Sequence, residues 1–150
     1  MKSNITKITK IILDIMFAGG IIITASLPFI LKPYGKYMDT QLPKYLWQIV
    51  ILLAVCGVFA LMIIWELRKV FKTVIADDCF VRENVRSLSR MGNYSFVIAV
   101  VMFVRCIMFY VTLAALAMIL VFIIAGLFSK VLAQVFDRAV TYKLENDLTI

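Results

Sequence analysis

The run "YSFVIAVVMFVRCIMFYVTLAALAMILVFIIAGLF", residues 94–128, decides the fold of this chain. It is 35 residues long, carries a single charge at Arg105, and contains no glycine or proline before Ala125. One helix of this length would measure about 52 Å, against roughly 30 Å of membrane hydrocarbon. A turn near Tyr110 to Leu113 would leave two arms of spanning length. The run therefore predicts two membrane spans, and the alternative is one long tilted helix, which would give three spans in the whole chain.

The composition of the chain places this run in a membrane protein. Of 150 residues, 63% are hydrophobic and 17% charged, whereas soluble domains are near half apolar and about a quarter charged. The length allows one compact domain, residues 1–150. We predict an all-α fold, an integral membrane four-helix bundle, with a short amphipathic cytoplasmic helix between the second and third spans.

Two further apolar runs supply the first and second spans. The first, about residues 9–31, follows a lysine-rich start, and its length favours an uncleaved helix over a secretory signal peptide. The second, about residues 46–65, carries Trp47 and Trp65 near its ends, and about 27 Å of helix separates them. The third and fourth spans are predicted at about 94–110 and 113–133. The membrane-interface side chains are then predicted to be Trp47, Trp65, Tyr110 and Arg105, with Arg105 snorkelling outward.

Positive charge is divided unevenly between the connecting segments. The chain has 16 Lys and Arg against 9 Asp and Glu. With both termini and the segment after the second span on the inner side, most of these basic residues lie inside. We therefore expect a multi-pass protein of the cell (cytoplasmic) membrane with both termini cytoplasmic. The excess of basic residues is explained by topology and anionic lipid, so we expect no direct contact with nucleic acid.

The segment "IADDCFVRENVRSLSRMGN", residues 75–93, predicts the cytoplasmic helix at about 79–91. Asp77 or Asp78 is suited to cap its start, apolar residues recur at helical spacing, and Gly92 is placed as the residue after the C-cap. Three arginines follow at steps of four residues. Two interpretations stay open: the arginines lie on lipid phosphates of the inner leaflet, or their face docks a cytosolic protein. The arginines are Arg82, Arg86 and Arg90.

The chain ends in a helical extension and tail, residues 134–150. The ending "LENDLTI" combines acidic and apolar side chains, so we expect it to lie against a basic helix or to extend a sheet edge, and a frayed tail is the alternative. The predicted partner-binding residues are therefore the three arginines with the residues of this ending, Glu145, Asn146, Asp147, Leu148, Thr149 and Ile150.

The stretches "FVRENVRSLSRMG" and "LAQVFDRAVTYKLENDLTI" resemble the YoaS-like family of small bacterial membrane proteins of unknown function. The Asn-Val-Arg-x-Leu stretch after the second span and the terminal Glu-Asn-Asp-Leu-Thr-Ile motif carry the resemblance. Ala139 departs from the glycine expected at that position. The resemblance implies a small Cro/CI-type helix-turn-helix protein as a partner, because family members are often encoded beside one. Spacing and composition do not indicate this partner.

The residue inventory argues against enzymatic chemistry. Histidine is absent, which removes the commonest general base and the usual zinc ligand. The three cysteines, Cys56, Cys79 and Cys106, show no Cys-x-x-Cys spacing, so a disulfide framework is not expected. We predict no enzyme, no catalytic residues, no metal and no cofactor.

The patterned polar sequence points instead to interaction. We predict a regulatory membrane protein that holds a small helix-turn-helix transcription factor at the membrane. The alternatives are an immunity protein against a membrane-active peptide, for which the outer loop from Lys32 to Lys44 would matter, and a small transporter subunit. Close helix approach at Gly19 and Gly20 leaves a homo-oligomer open as well.

Overall fold

A computed structural model describes the backbone of residues 4–38 and 42–149, and the side chains of residues 4–33 and 44–149. The described chain is helical and forms four helices: α1 Asn4–Met38, α2 Leu42–Ile75, α3 Arg82–Met108 and α4 Leu113–Leu148. All four are long and apolar enough to cross a membrane. The predicted all-α fold with four spanning helices is therefore confirmed, and the chain is a multi-pass membrane protein.

The helices pack in chain order. In the described part of the chain, α1 packs against α2 alone, while α3 lies between α2 and α4. Among the described residues α3 is the most buried helix, whereas α1 and α4 each pack against one helix and expose most of their apolar side chains. An apolar core of Cys56 from α2, Ile98 and Met102 from α3, and Ala115 from α4 joins the three. The exposed apolar faces suit contact with lipid.

The separate short helix predicted at 79–91 is not found, because α3 begins at Arg82 and runs without a break through Gly92 to Met108. Its buried residues at positions 84, 88, 91, 95, 98 and 102 recur at steps of four and three, so one stripe faces the neighbouring helices along the whole helix. Gly92 is buried, and a Cβ there would lie 3.1 Å from the carbonyl oxygen of Gly126. This glycine serves close contact with α4 and does not end a helix.

The predicted N-terminal cap by Asp77 or Asp78 is also wrong. Val81 occupies the N-cap of α3 and makes no side-chain cap hydrogen bond. Asp77 belongs to the end of α2 instead: its φ is 59°, and the N–H groups of Asp77 and Asp78 donate to the carbonyls of Val74 and Thr73 at 3.2 and 3.1 Å. These two bonds form a Schellman motif, which satisfies carbonyls that the helix end would otherwise leave without partners.

The two remaining connections differ in how they relate to the sequence. The turn between α3 and α4 occupies residues 109–112, where the length of the run from residue 94 to 128 predicts it. Thr112 is the N-cap of α4, and its side chain accepts a hydrogen bond from the N–H of Ala115 at 3.2 Å. By contrast, α1 continues through Pro28 and Pro33 to Met38, beyond residue 31, where the first span was expected to end.

Candidate functional site

Polar contacts concentrate at one end of the bundle, which we call the polar end: the starts of α1 and α3, and the ends of α2 and α4. Glu66 is its central residue. It lies on α2 directly after Trp65 and is only 4% exposed. Ser87 Oγ donates to Glu66 Oε2 at 2.7 Å, and Lys69 Nζ and Arg90 Nη1 approach Oε1 at 3.1 and 3.3 Å. Both oxygens therefore have partners, and the two cations stabilise the carboxylate form.

A second buried contact lies about two helical turns closer to the end of α2. Asn84, 1% exposed, donates from Nδ2 to Thr73 Oγ1 at 2.6 Å and to the Cys79 carbonyl at 2.7 Å. Thr73 Oγ1 in turn donates to the Val70 carbonyl at 2.7 Å. This single amide fastens the start of α3 to α2 and to the segment that connects them.

A cavity of about 540 Å³ opens beside these contacts, between the end of α2 and the start of α3. Four of its lining side chains are cationic and one is acidic. Lys69 and Arg90 are engaged with Glu66, whereas Lys72 and Arg86 have no ion-pair partner among the described residues. The lining comprises Lys69, Lys72, Thr73, Ala76, Glu83, Asn84, Arg86, Ser87 and Arg90.

Further contacts at the polar end join α3 and its preceding connector to α4. Arg82 Nη1 lies 2.7 Å from Asp137 Oδ1, and Lys143 Nζ lies 2.8 Å from Asp78 Oδ1. The rings of Phe80 and Phe136 pack with centroids 5.4 Å apart. The two segments that the sequence singled out, the arginine-rich stretch and the end of the chain, are therefore neighbours in the fold.

Asp14 contributes an ion pair between α1 and α2. Asp14 Oδ1 lies 2.7 Å from Arg68 Nε. The Arg68 guanidinium also lies over the Phe17 ring, 5.0 Å from its centroid. This ion pair therefore joins two neighbouring helices.

The predicted partner-binding arginines have three different environments. Arg82 is paired with Asp137, Arg90 is paired with Glu66, and Arg86 is exposed on the rim of the cavity. Residues 145–149 are exposed at the end of α4 and after it, and Thr149 Oγ1 donates to the Glu145 carbonyl at 2.7 Å. Ile150 lies outside the described residues. Binding by these residues stays a prediction.

The predicted membrane-interface residues occupy both ends of the bundle. Trp47, Trp65 and Tyr110 are exposed. Arg105 is half-buried, with Nη1 3.3 Å from Thr112 Oγ1 and its guanidinium 5.8 Å from the centroid of the Tyr110 ring. Their contact with the lipid interface stays a prediction.

Glu66, Asn84 and Ser87 were missed by reasoning from the sequence. The charged residues that follow Trp65 are typical of a helix leaving the hydrocarbon, so this pattern does not indicate that Glu66 is buried. A signal was nevertheless present: the buried stripe of α3 begins at Asn84 and continues with the same period past Gly92. A continuous period across the glycine favours one helix over two, and places Asn84 and Ser87 on its inner face.

The arrangement offers binding chemistry. Its groups are cations, amides and hydroxyls around a cavity, and no group of three His, Cys, Asp or Glu side chains that could hold a metal ion occurs within residues 4–33 and 44–149.

The family model described as "Protein of unknown function (DUF2975)" matches residues 32–150. No curated protein and no solved structure matches the chain.

Proposed function

We propose a regulatory, non-enzymatic role for this chain, which belongs to the DUF2975 family of proteins of unknown function: it holds a small cytosolic helix-turn-helix transcription factor at the membrane. The observation that carries the proposal is the packing of the last part of α4 against the start of α3 and the connector before it, through Arg82 with Asp137 and Lys143 with Asp78. The exposed acidic residues Glu145 and Asp147 follow these contacts directly.

Topology supports a cytoplasmic location for this surface. Four spanning helices return the chain to the side on which it began, so the start of α1, the 76–81 connector and the end of α4 share one water phase. The basic residues concentrated on this side favour the cytoplasm by the positive-inside rule. We therefore place the protein in the cell membrane with the polar end inside.

The charge of the tail supports a basic partner. Glu145 and Asp147 are exposed and have no ion-pair partner among the described residues, so the tail carries two negative charges. Arg82 and Arg90 already form ion pairs with Asp137 and Glu66. The charges available to a partner on this surface are therefore those of the tail. A helix-turn-helix protein presents a basic face to DNA phosphates. An acidic tail suits that face, and occupying it would keep the partner from DNA.

The identity of the partner rests on the resemblance to the YoaS-like family, whose members are often encoded beside a small Cro/CI-type helix-turn-helix protein. The terminal Glu-Asn-Asp-Leu-Thr-Ile motif carries this finer part of the proposal. The resemblance thus proposes a class of partner, which the description of the DUF2975 family does not specify.

The test is recovery of the helix-turn-helix protein from membranes that contain the full-length chain or a version ending at Leu144. We expect the truncation to lose most of the recovered partner. A chain with Glu145→Gln and Asp147→Asn should lose it as well, because these changes remove charge and keep length.

Two matched variants control this experiment. Glu145→Asp with Asp147→Glu keeps both charges and should retain the partner. Asp77→Asn removes an acid at the polar end outside the tail and should also retain it. Equal recovery by the full-length chain and the version ending at Leu144 would exclude the tail from binding and contradict the proposal.

A further inference from the structure

We infer that the cavity between the end of α2 and the start of α3 is a binding site for a phosphate-bearing anion, held by Lys72, Arg86 and their neighbours. This inference is independent of the tail and of the helix-turn-helix partner. It assigns a ligand class to a cavity of about 540 Å³, which is ample for a phosphate group with its substituent.

The electrostatic argument starts from the cations that the protein itself leaves uncompensated. Lys69 and Arg90 share the carboxylate of Glu66, which lies beside the cavity. Lys72 and Arg86 face the same space from α2 and α3 with no ion-pair partner among the described residues. A phosphate monoester carries about −1.5 to −2 charges at neutral pH, and a lipid phosphodiester about −1. Either anion fits the charge that Lys72 and Arg86 offer.

Hydrogen bonds hold two of the side chains that line the cavity in fixed positions. Asn84 and Ser87 line the cavity and are buried, and both are held by hydrogen bonds to α2 or to the connector. These bonds fix the separation of α2 and α3, so the cations extend from two helices whose positions are already set. Such preorganisation lowers the cost of ordering the site when a ligand binds.

The depth of the cavity fits a phosphate at the membrane surface. Trp65 ends the apolar part of α2, and Lys69 and Lys72 follow it by about 6 and 10 Å along the helix axis. The headgroup layer is about 5 to 7 Å thick on each side of the hydrocarbon. The cavity therefore lies within or just outside that layer, where both a lipid headgroup and a soluble phosphate have access.

The experiment uses the full-length protein in a neutral detergent and measures its thermal unfolding midpoint. One arm adds inorganic phosphate against chloride at equal ionic strength, and the other adds phosphatidylglycerol against phosphatidylcholine. We expect at least one of the two phosphate ligands to raise the midpoint by about 2–4 °C. A response to phosphatidylglycerol alone identifies a lipid headgroup as the source, and a response to inorganic phosphate identifies a soluble one.

The variants locate the effect. Lys72→Gln with Arg86→Gln should weaken the apparent affinity about 25-fold, from about fivefold for each basic residue removed. Lys10→Gln with Arg138→Gln removes the same charge from exposed positions at the polar end outside the cavity, and should change the affinity at most a few-fold. Lys72→Arg with Arg86→Lys keeps the charges and should retain binding.

Glu83→Gln provides a test that loses no cation. It removes the acid that lines the cavity, and should tighten binding by a few-fold. The inference is overturned if neither phosphate ligand raises the midpoint, if the Lys72 and Arg86 double variant binds no more weakly than the Lys10 and Arg138 double variant, or if Glu83→Gln weakens binding.

Discussion

Two arginines on α3 have different kinds of partner at the two ends of the helix. At the polar end, Arg90 contacts Glu66 of α2, and Ser87 binds the same carboxylate, so the contact crosses between helices. At the other end, Arg105 contacts Thr112 and Tyr110, both in the turn that follows its own helix. Among the described side chains, the polar groups at the polar end hold different helices together, and those at the other end mainly shape a turn.

Burial explains why the polar end should carry more of the stability. Glu66 and Ser87 are each 4% exposed, so their bonds lie away from water, where an unmade hydrogen bond is costly. Arg105 is half-buried beside an exposed turn, where water can replace the lost contact. Contacts at the polar end should therefore give the larger effects when they are removed.

The largest effect is expected from Glu66→Ala. The change removes a buried acceptor from Ser87 and the charge partner of Lys69 and Arg90. We expect unfolding to become easier by about 2–3 kcal/mol, mostly from the orphaned hydroxyl and the lost packing. The measurement is unfolding in mixed micelles titrated with denaturing detergent. Glu83→Ala, an exposed acid on the same end, should stay within about 0.5 kcal/mol, and equal values for the two variants would refute the central role of Glu66.

Asn84→Ala should have the next largest effect, about 2 kcal/mol, because it removes two hydrogen bonds made by one buried amide. Since Cys79 lies in the connector between α2 and α3, this segment should also become more susceptible to proteolysis. Asn93 is a matched control on the same helix, because it is exposed. If Asn93→Ala is as destabilising as Asn84→Ala, burial is not the reason for the effect.

The features that could be predicted from the sequence are those that depend on the length of a helix or on residue spacing within it. Residues 94–128 exceed one span, so two helices with a turn near Tyr110 follow from the helix rise alone. The contact of Glu66 with Lys69 likewise follows from helical spacing, and it is present at 3.1 Å. Both are local relations, which the chain specifies without reference to its neighbours.

The features that could not be predicted depend on which helices meet. Gly92 has two ordinary roles, as a residue after a helix end and as a point of close helix contact, and only the position of Gly126 on α4 selects the second. Ion pairs such as Arg82 with Asp137 join residues 55 positions apart. Their partners could be identified only once the order of the helices in space was known.

Thr112→Ala tests the contribution of the turn between α3 and α4 to stability. The hydroxyl caps α4 by accepting a hydrogen bond from the N–H of Ala115, and it also accepts one from Arg105 Nη1. Loss of an N-cap typically costs about 1 kcal/mol, so we expect an effect of that size, smaller than at Glu66 or Asn84. Thr141→Ala is the control, since its hydroxyl bonds the Asp137 carbonyl within one helix and should contribute at most about 0.5 kcal/mol. An effect of Thr112→Ala above that of Glu66→Ala would reverse the comparison.

The smallest effect is expected at Asp77, and its sign should be opposite. The residue has a φ of 59°, a conformation that glycine adopts without steric cost, and it ends α2 through backbone bonds that need no side chain. Asp77→Gly should therefore stabilise the protein by about 0.5–1 kcal/mol in the same micelle titration. Asp78→Gly is the matched control: it removes the partner of Lys143 at a residue without positive φ, so it should destabilise. A stabilising Asp77→Gly beside a destabilising Asp78→Gly would show that the polar end depends on cross-helix side-chain contacts, while the end of α2 depends on backbone geometry alone. If instead Asp77→Gly destabilises the protein and Asp78→Gly stabilises it, the side chain of Asp77 holds the connector in place. The Schellman motif would then depend on that side chain.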